Sequence, residues 1–551
     1  MHEPPPASTS PILAPPGRFA PWAASWRSIL GLVLGVSLAR IVYLAWLCPY
    51  TLIEDEAHYW EWSRRLDWSY YSKGPGVAWA IAAATRLLGD HEYAVRLPAV
   101  ISSAIAALSL AGLARDASGE KRAGFFAAAC FQLVPMFFTT SMLMTIDMPY
   151  AACWSVAAWA AWRAFDRSSP GAWATLGLAI AAGIAFKYTM LLLIPGILAF
   201  AVVRRHDARP RPVGPIIAGS LSLLGLVPIL VWNSSRGWPT IHHLLGHLGV
   251  SGGDVAPTQG VGGYHYDPTW TLEFVGTQLA LAGPMLALAI LGYRSLQRSA
   301  QAWSASFLAW CALPIIVFYL VVSFVAEPEG NWALAGYTTL TALAGLAIVR
   351  SMDEWTARVA VWRSTPAPRP RAGLILRRPE SAGQILWHAT LLIGILFGVA
   401  SLRLDLIARL PIVGPRVPLS RFMGADQMAA HTQRLLNQLR AQVPGVEPFV
   451  VSQFYGRASQ MAFYLPGHPV VYCSGSIMGG RKTQYDLWPQ TSLASPLLSG
   501  RPAVLLGDAD QSWQWPGGSG FGRVDSVGRL DGDRKRNRVA SLGFDYHPVA
   551  K

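Results

Sequence analysis

The sequence predicts a polytopic α-helical membrane protein, with about 11 transmembrane helices and a small C-terminal α/β soluble domain. Three observations predict it. Charged residues make up 14% of the 551 residues and apolar residues 52%, where an average globular chain is about 25% charged. The apolar residues run in stretches long enough to cross about 30 Å of hydrocarbon. Beyond residue 402 the pattern changes to short apolar strands alternating with helical stretches. Together these exclude a disordered chain, a collagen-like chain and an ordinary soluble enzyme. The net charge of +14 would raise nucleic-acid binding in a soluble protein. Here the basic residues fall in connectors between apolar spans, so membrane orientation accounts for them and no nucleic-acid partner is expected.

Residues 1–27 are proline-rich, lack a signal-peptide cleavage pattern and read as a disordered cytoplasmic leader. The transmembrane domain is expected over 28–402, with spans at 28–48, 93–114, 123–142, 146–165, 171–186, 188–203, 213–232, 271–293, 303–326, 332–350 and 384–402. Only Lys187-Tyr188 interrupts the apolar run 171–203. Connectors 115–122, 204–212, 294–302 and 351–383, with the leader and boundary residues, hold about 20 Lys and Arg against about seven on the opposite side outside the C-terminal tail, which assigns them to the cytoplasm. The other side then carries outer loops 49–92 and 233–270 and a C-terminal extracytoplasmic α/β domain, 403–551. In that domain helical stretches are expected at 425–441 and at ASQMAFYL. Strands are expected at Phe449-Val450-Val451, Val470-Val471-Tyr472 and Ala503-Val504-Leu505-Leu506. The SGSIMGG segment lacks the spacing and the Lys of a phosphate loop. The basic C-terminal end is expected to be mobile. The five cysteines show no paired or metal-binding spacing.

Chemistry concentrates on the outer face. Loop 49–92 opens with Glu54-Asp55-Glu56 directly off the first span, followed by Tyr59, Trp60, Trp62, Trp68, Tyr70 and Tyr71. An interfacial aromatic belt explains the rings, but not three carboxylates at the foot of a span. After Pro75 comes an apolar helix too short to span, which suits the interface. Asp147 lies between apolar runs, and an ionised carboxylate at bilayer depth costs roughly 2.5–3.5 kcal/mol, so it is expected to face a polar cavity. The chain has six lysines, and two of them, Lys73 and Lys187, fall on this outer rim. They fit a phosphate as compact point charges better than they fit snorkelling anchors. Loop 233–270 begins with Asn233, and its His243 and His247 lie four apart. HExxH would need a Glu where Leu244 stands. Glu327, Glu329 and Asn331 form a further outer turn. Aromatic walls such as Tyr59 and Tyr71 suit sugar rings, and a carboxylate can deprotonate an acceptor hydroxyl. These are the parts needed to move a sugar from a polyprenyl phosphate.

The stretches DEAHYWEWSRRLDWSYYSKGPGVAW, TIDMPY, FKYTMLLLIPG, VWNSSRGW and EPEGNW resemble the bacterial branch of the dolichyl-phosphate-mannose protein mannosyltransferase superfamily. That superfamily also contains the lipid A aminoarabinose transferases and has the GT-C membrane fold. In the tail, MAFYLPGHPVVYC with QYDLWP resembles related members. The resemblance implies an inverting transfer on the extracytoplasmic face of the bacterial inner membrane. Asp55 is the implied general base, with Glu56 beside it and Asp147 as a further catalytic acid. Lys73, Lys187 and His58 stand at donor phosphate-binding positions. Tyr59, Tyr71, Asn233, Glu327 and Asn331 are candidate substrate contacts. His58 replaces the Arg of many members, and Gly74-Pro75-Gly76 replaces Pro-Pro-Leu. The implied donor is an undecaprenyl-phosphate-linked sugar, and the acceptor a glycolipid, a polymer or a protein hydroxyl. No cofactor is required, because fixed cations can offset the leaving phosphate's charge. The alternative from another class is a lipid-linked-sugar flippase or secondary transporter, whose charges should sit mid-membrane and whose halves should repeat. A scaffold subunit is a third possibility.

Overall fold

The structure is a computed structural model and describes residues 19–167, 169–203, 213–247, 266–299, 301–364, 382–533 and 538–549. Helices close their own backbone hydrogen bonds, which makes them the favourable backbone in hydrocarbon. Among the described residues six are long and apolar enough to cross a bilayer: Trp26–Leu47, Glu92–Ser118, Val213–Ser234, Ala302–Val322, Leu334–Ser364 and Ala382–Leu402. Pro268–Ala282 and Met285–Gln297 add a seventh if counted as one span, bent by 79° at their junction.

The expected number of spans is not reached by unbroken apolar helices among the described residues. Expected span 123–142 breaks at Val134-Pro135 into Ala123–Leu133 and Pro135–Thr140. Pro135 has no N–H to continue the ladder, and it holds Val134 extended. The run 171–203 divides at Lys187 into helix Pro170–Phe186, a 3₁₀ turn Tyr188–Leu192 and helix Leu193–Val203. Asp147–Arg167 is a continuous helix of 21 residues with a polar first turn. Helices meet through small residues, as membrane helices do. At Gly345 a Cβ would stand 2.4 Å from the Ala123 carbonyl oxygen.

Residues 1–18 of the expected leader, connector 204–212, 248–265 of the second outer loop and 365–381 lie outside the described residues. The rest of the leader is ordered, contrary to expectation. Pro21–Ala24 makes a 3₁₀ turn, and the Ser25 side chain caps the first span by accepting from the Arg27 N–H at 3.1 Å. Phe19 stacks on Phe126, its N–H donates to Asp353 (2.8 Å), and its carbonyl accepts from Arg122 (2.7 Å).

The C-terminal region builds one six-stranded sheet in the order β2-β1-β3-β6-β5-β4. Its strands are β1 Phe449–Ser452, β2 Val471–Cys473, β3 Ala503–Asp508, β4 Gln514–Trp515, β5 Ser519–Arg529 and β6 Arg538–His547. β1 runs parallel to both β2 and β3. The β1–β2 crossover is helix Tyr455–Tyr464, as parallel strands demand. β6 pairs antiparallel with both β3 and β5. The expectation of a mobile C-terminal end is therefore corrected: pairing to two neighbours orders residues 538–547, although their sequence has no continuous apolar run.

Helix Glu54–Ser63 lies between the membrane helices and this sheet region. The Leu52 N–H donates to Tyr464 Oη (2.7 Å), and Gln460 Nε2 donates to the Leu52 carbonyl (2.9 Å). Farther along the loop, the Tyr71 N–H donates to Gln484 Oε1 (2.7 Å). Loop 49–92 is thus clamped from both sides, which fixes the residues it carries.

Candidate active site

Asp55 and Glu56 are adjacent in the first turn of helix Glu54–Ser63, where the helix dipole favours carboxylates. They occupy opposite environments. Glu56 is fully buried. Its carboxylate accepts from Arg96 Nε (2.9 Å) and Nη2 (2.8 Å), from the Met144 N–H (2.8 Å) and from the Ile53 N–H (3.1 Å). Every acceptor direction is used, so Glu56 is engaged within the protein. It is half of a buried bidentate ion pair that pins Asp55's helix to Glu92–Ser118.

Asp55 is open to solvent, yet protein crowds it on its other sides. That desolvation raises its pKa above the usual carboxylate range, with Lys73 opposing the rise, Glu54 adding to it, Arg481 opposing and Asp147 adding. The charges acting on Asp55 thus come from its own helix, the loop at Lys73, the membrane helix at Asp147 and the C-terminal region at Arg481.

Asp147, Lys187 and Asn331, separated by up to 184 positions, form one hydrogen-bonded node. Lys187 Nζ donates to Asp147 Oδ1 at 2.9 Å, and Asn331 Nδ2 donates to Oδ2 at 2.7 Å. Thr145 Oγ1 also donates to Oδ2 (3.1 Å). Asp147 starts one helix and Lys187 caps the end of another, Pro170–Phe186, where a cation complements the carbonyl end. Both side chains are buried. Lys187 Nζ lies 5.6 Å from the centroid of the Tyr150 ring.

Lys73 reaches the same place because its loop packs tightly on the end of helix Pro170–Phe186. A Cβ on Gly74 would stand 2.5 Å from the Ala185 carbonyl oxygen, and one on Gly76 would stand 3.0 Å from it. Only glycine permits that approach, so Gly74-Pro75-Gly76 serves to seat Lys73 beside Lys187. Burial, with Lys187 adding, lowers the Lys73 pKa to about 8. No ion pair to Lys73 is present among the described residues, so this ammonium remains available to an anion.

The other sequence candidates divide. Tyr59 is buried beside Asp55, and burial, then Asp55, raises its hydroxyl pKa. Tyr71 is buried against His243, with ring centroids 4.9 Å apart. His58 is engaged through both ring nitrogens. Its Nε2 accepts from Trp62 Nε1 (3.1 Å), so the proton is on Nδ1, which donates to Ser459 Oγ (3.0 Å). Burial, with Arg481 adding, lowers its pKa to about 3, leaving the ring neutral. Asn233 closes its own turn, donating to the Ile229 carbonyl (2.9 Å) and accepting from the Thr240 N–H (3.1 Å). Its amide is engaged in that turn. Glu327 is exposed and makes no ion pair among the described residues, so it does not join the node. The side chain of His247 lies outside the described residues. No group of three His, Cys, Asp or Glu side chains placed to hold a metal occurs among the described residues.

Arg481 escaped the sequence reading. It follows SGSIMGG directly, and its Nη2 donates to Tyr455 Oη at 3.0 Å while its guanidinium stacks on the Tyr455 ring. Tyr455 in turn packs on His58, with centroids 4.6 Å apart. The C-terminal region thus supplies one wall of the site. The only signal in the sequence was a cation beside a glycine-rich turn.

The family described as Dolichyl-phosphate-mannose-protein mannosyltransferase matches residues 72–232, which contain Lys73, Asp147 and Lys187. Lipid A galacturonosyltransferase RgtD of Rhizobium johnstonii is 30% identical over 321 residues, covering 58% of this chain and 65% of that protein. Undecaprenyl phosphate-alpha-4-amino-4-deoxy-L-arabinose arabinosyl transferase 2 of Pseudomonas fluorescens is 25% identical over 250 residues, covering 42% of this chain and 41% of that one. The chain thus spans less than two thirds of the length of these relatives. The crystal structure of ArnT from Cupriavidus metallidurans bound to undecaprenyl phosphate superposes with a TM-score of 0.63 at 18% identity. That superposition covers 94% of this chain and 98% of the other. The chain shares the fold of that structure and is similar in sequence, over these stretches, to membrane sugar transferases. Asp55 and Asn331 flank the family-matched stretch and are brought to it by loop 49–92 and the turn before Leu334–Ser364.

Proposed function

We propose that the chain transfers a sugar from a polyprenyl-phosphate donor to a hydroxyl of a glycolipid, on the extracytoplasmic face of the bacterial inner membrane. The observation that carries this reading is the pairing of an open carboxylate, Asp55, with an uncommitted ammonium, Lys73, beside the Asp147–Lys187–Asn331 node. In this reading residues 28–402 form the catalytic membrane domain, and the C-terminal sheet covers its outer opening.

Asp55 acts as general base, removing the proton of the acceptor hydroxyl as its oxygen bonds to the anomeric carbon. The bond from that carbon to the phosphate oxygen breaks, and the polyprenyl phosphate leaves with the electron pair, inverting the centre. Lys73 offsets the charge that develops on the phosphate. A carboxylate whose pKa is raised above its usual range is a stronger base toward the acceptor hydroxyl. Lys187 is committed to Asp147, so its part is to hold the node and contribute its field. Glu56 and Arg96 position Asp55 without touching substrate.

The relatives' names suggest lipid A as acceptor and either a galacturonosyl or a 4-amino-4-deoxy-L-arabinosyl donor. The test is purified protein in lipid with a panel of undecaprenyl-phosphate sugars containing both, and lipid A as acceptor. Release of free undecaprenyl phosphate together with a glycosylated acceptor supports the reading. Donor binding with movement between leaflets and no transfer would replace it with a flippase.

A further inference from the structure

The last described span, Ala382–Leu402, is followed by a segment that does not leave the membrane surface cleanly. Leu406, Leu410, Ile412 and Val413 are exposed, Ile412 by 77%. They continue the apolar face that Leu392, Leu396 and Val399 present along the span itself. The segment is tied to the mouth of the first span. Tyr50 Oη donates to the Ser401 carbonyl (2.8 Å) and accepts from the Leu404 N–H (2.6 Å). Thr51 Oγ1 donates to the Phe422 carbonyl (3.1 Å). The patch therefore lies at the membrane exit, on the same side as Asp55.

Beside this patch, residues 408–411 and 414–420, with Arg529, Gly532 and Asp533, line an open cleft of about 940 Å³. Arg409, Arg416 and Arg529 line it. Its one carboxylate, Asp533, is already engaged by the Arg538 N–H at 2.9 Å. Arg416 donates to the Ile412 carbonyl (2.8 Å) and Arg529 to the Asp533 carbonyl (3.2 Å). No carboxylate pairs with any of the three guanidinium groups among the described residues. Asp405 lies near Arg409 but is already paired with Arg403 at 2.9 Å. An exposed apolar strip next to three arginines matches a lipid, with acyl chains against the leucines and a phosphate among the cations.

We propose that this cleft binds the phosphate-bearing headgroup of a lipid in the leaflet facing Asp55. A membrane phospholipid and a phosphorylated glycolipid share that chemistry. The site is independent of the transfer reaction and rests only on membrane placement. Its effect is to hold a lipid of that leaflet against the C-terminal region.

The test is native mass spectrometry of the full-length protein released from nanodiscs containing phosphatidylglycerol, diacylglycerol and a bisphosphorylated glycolipid. Arg409→Gln/Arg416→Gln is compared with wild type, because these side chains hold no tertiary contact that the fold needs. Wild type should retain the phosphate lipids over diacylglycerol, and the double variant should lose about tenfold or more of that retention. Arg409→Lys/Arg416→Lys should restore part of it. A drop for both phosphate lipids assigns a general phosphate site, and a drop for the glycolipid alone assigns a glycolipid site. Equal retention by wild type and the glutamine variant overturns the proposal. Should that variant not fold, wild-type retention of phosphatidylglycerol that does not respond to salt would overturn it equally.

Discussion

Lys187 Nζ sits 2.9 Å from Asp147 Oδ1, joining the end of one membrane helix to the start of another in a buried ion pair. Removing one partner leaves an uncompensated buried charge, at a cost of about 3–5 kcal/mol. Lys187→Met should therefore lower the thermal unfolding midpoint in detergent. Asp147→Asn/Lys187→Met should recover part of that loss without recovering turnover. Additive losses in the double variant would show that the two residues are not coupled.

The pH profile should be bounded by Asp55 and Lys73. Asp55 must be ionised to accept a proton, so kcat/KM should fall with decreasing pH through a pKa raised above the usual carboxylate range. Lys73 is cationic below its lowered pKa and neutral above it, so kcat/KM should fall again above about pH 8. Lys73→Arg keeps the charge and should move the alkaline limb upward. An unmoved limb would mean that another group sets it.

Gly74→Ala tests how the Lys73 loop is seated. The added Cβ must move away from the Ala185 carbonyl oxygen, 2.5 Å off. This should carry Lys73 out of register and raise KM for the donor more than it lowers kcat. Unaltered donor affinity would show that the close packing does not set the position of Lys73.

Glu56→Gln separates positioning from chemistry. It should destabilise the protein by leaving the buried Arg96 guanidinium short of its carboxylate, while folded molecules keep the wild-type pH profile. A lost or displaced acid limb, with the unfolding midpoint unchanged, would return Glu56 to the chemistry.

Legibility in the sequence followed the physical basis of each signal. Burying a charge in a membrane is costly whatever the tertiary structure, so Asp147 and Lys187 stood out, and the structure brings them together. The helix at 425–442 and strands β1 to β3 were legible from apolar periodicity. β5 was not, because most of its residues are exposed, and β6 owes its order to neighbours distant in sequence. The Arg96 partner of Glu56 was not legible, because a carboxylate bound by an arginine looks the same in sequence as a free one. The partners of His58, Trp62 and Ser459, declare nothing locally either. Arg481 showed only as a cation beside a glycine-rich turn, and the packing of Tyr455 on His58 reveals its place.

The central claim is that Asp55 supplies the base. The most direct measurement is single-turnover transfer by Asp55→Asn, alongside donor binding by the same preparation. Losing a positioned general base costs about 100- to 10,000-fold, so the rate should fall by at least two orders of magnitude while donor affinity and the unfolding midpoint stay near wild type. Transfer at the wild-type rate by a folded, donor-binding Asp55→Asn protein would contradict the account.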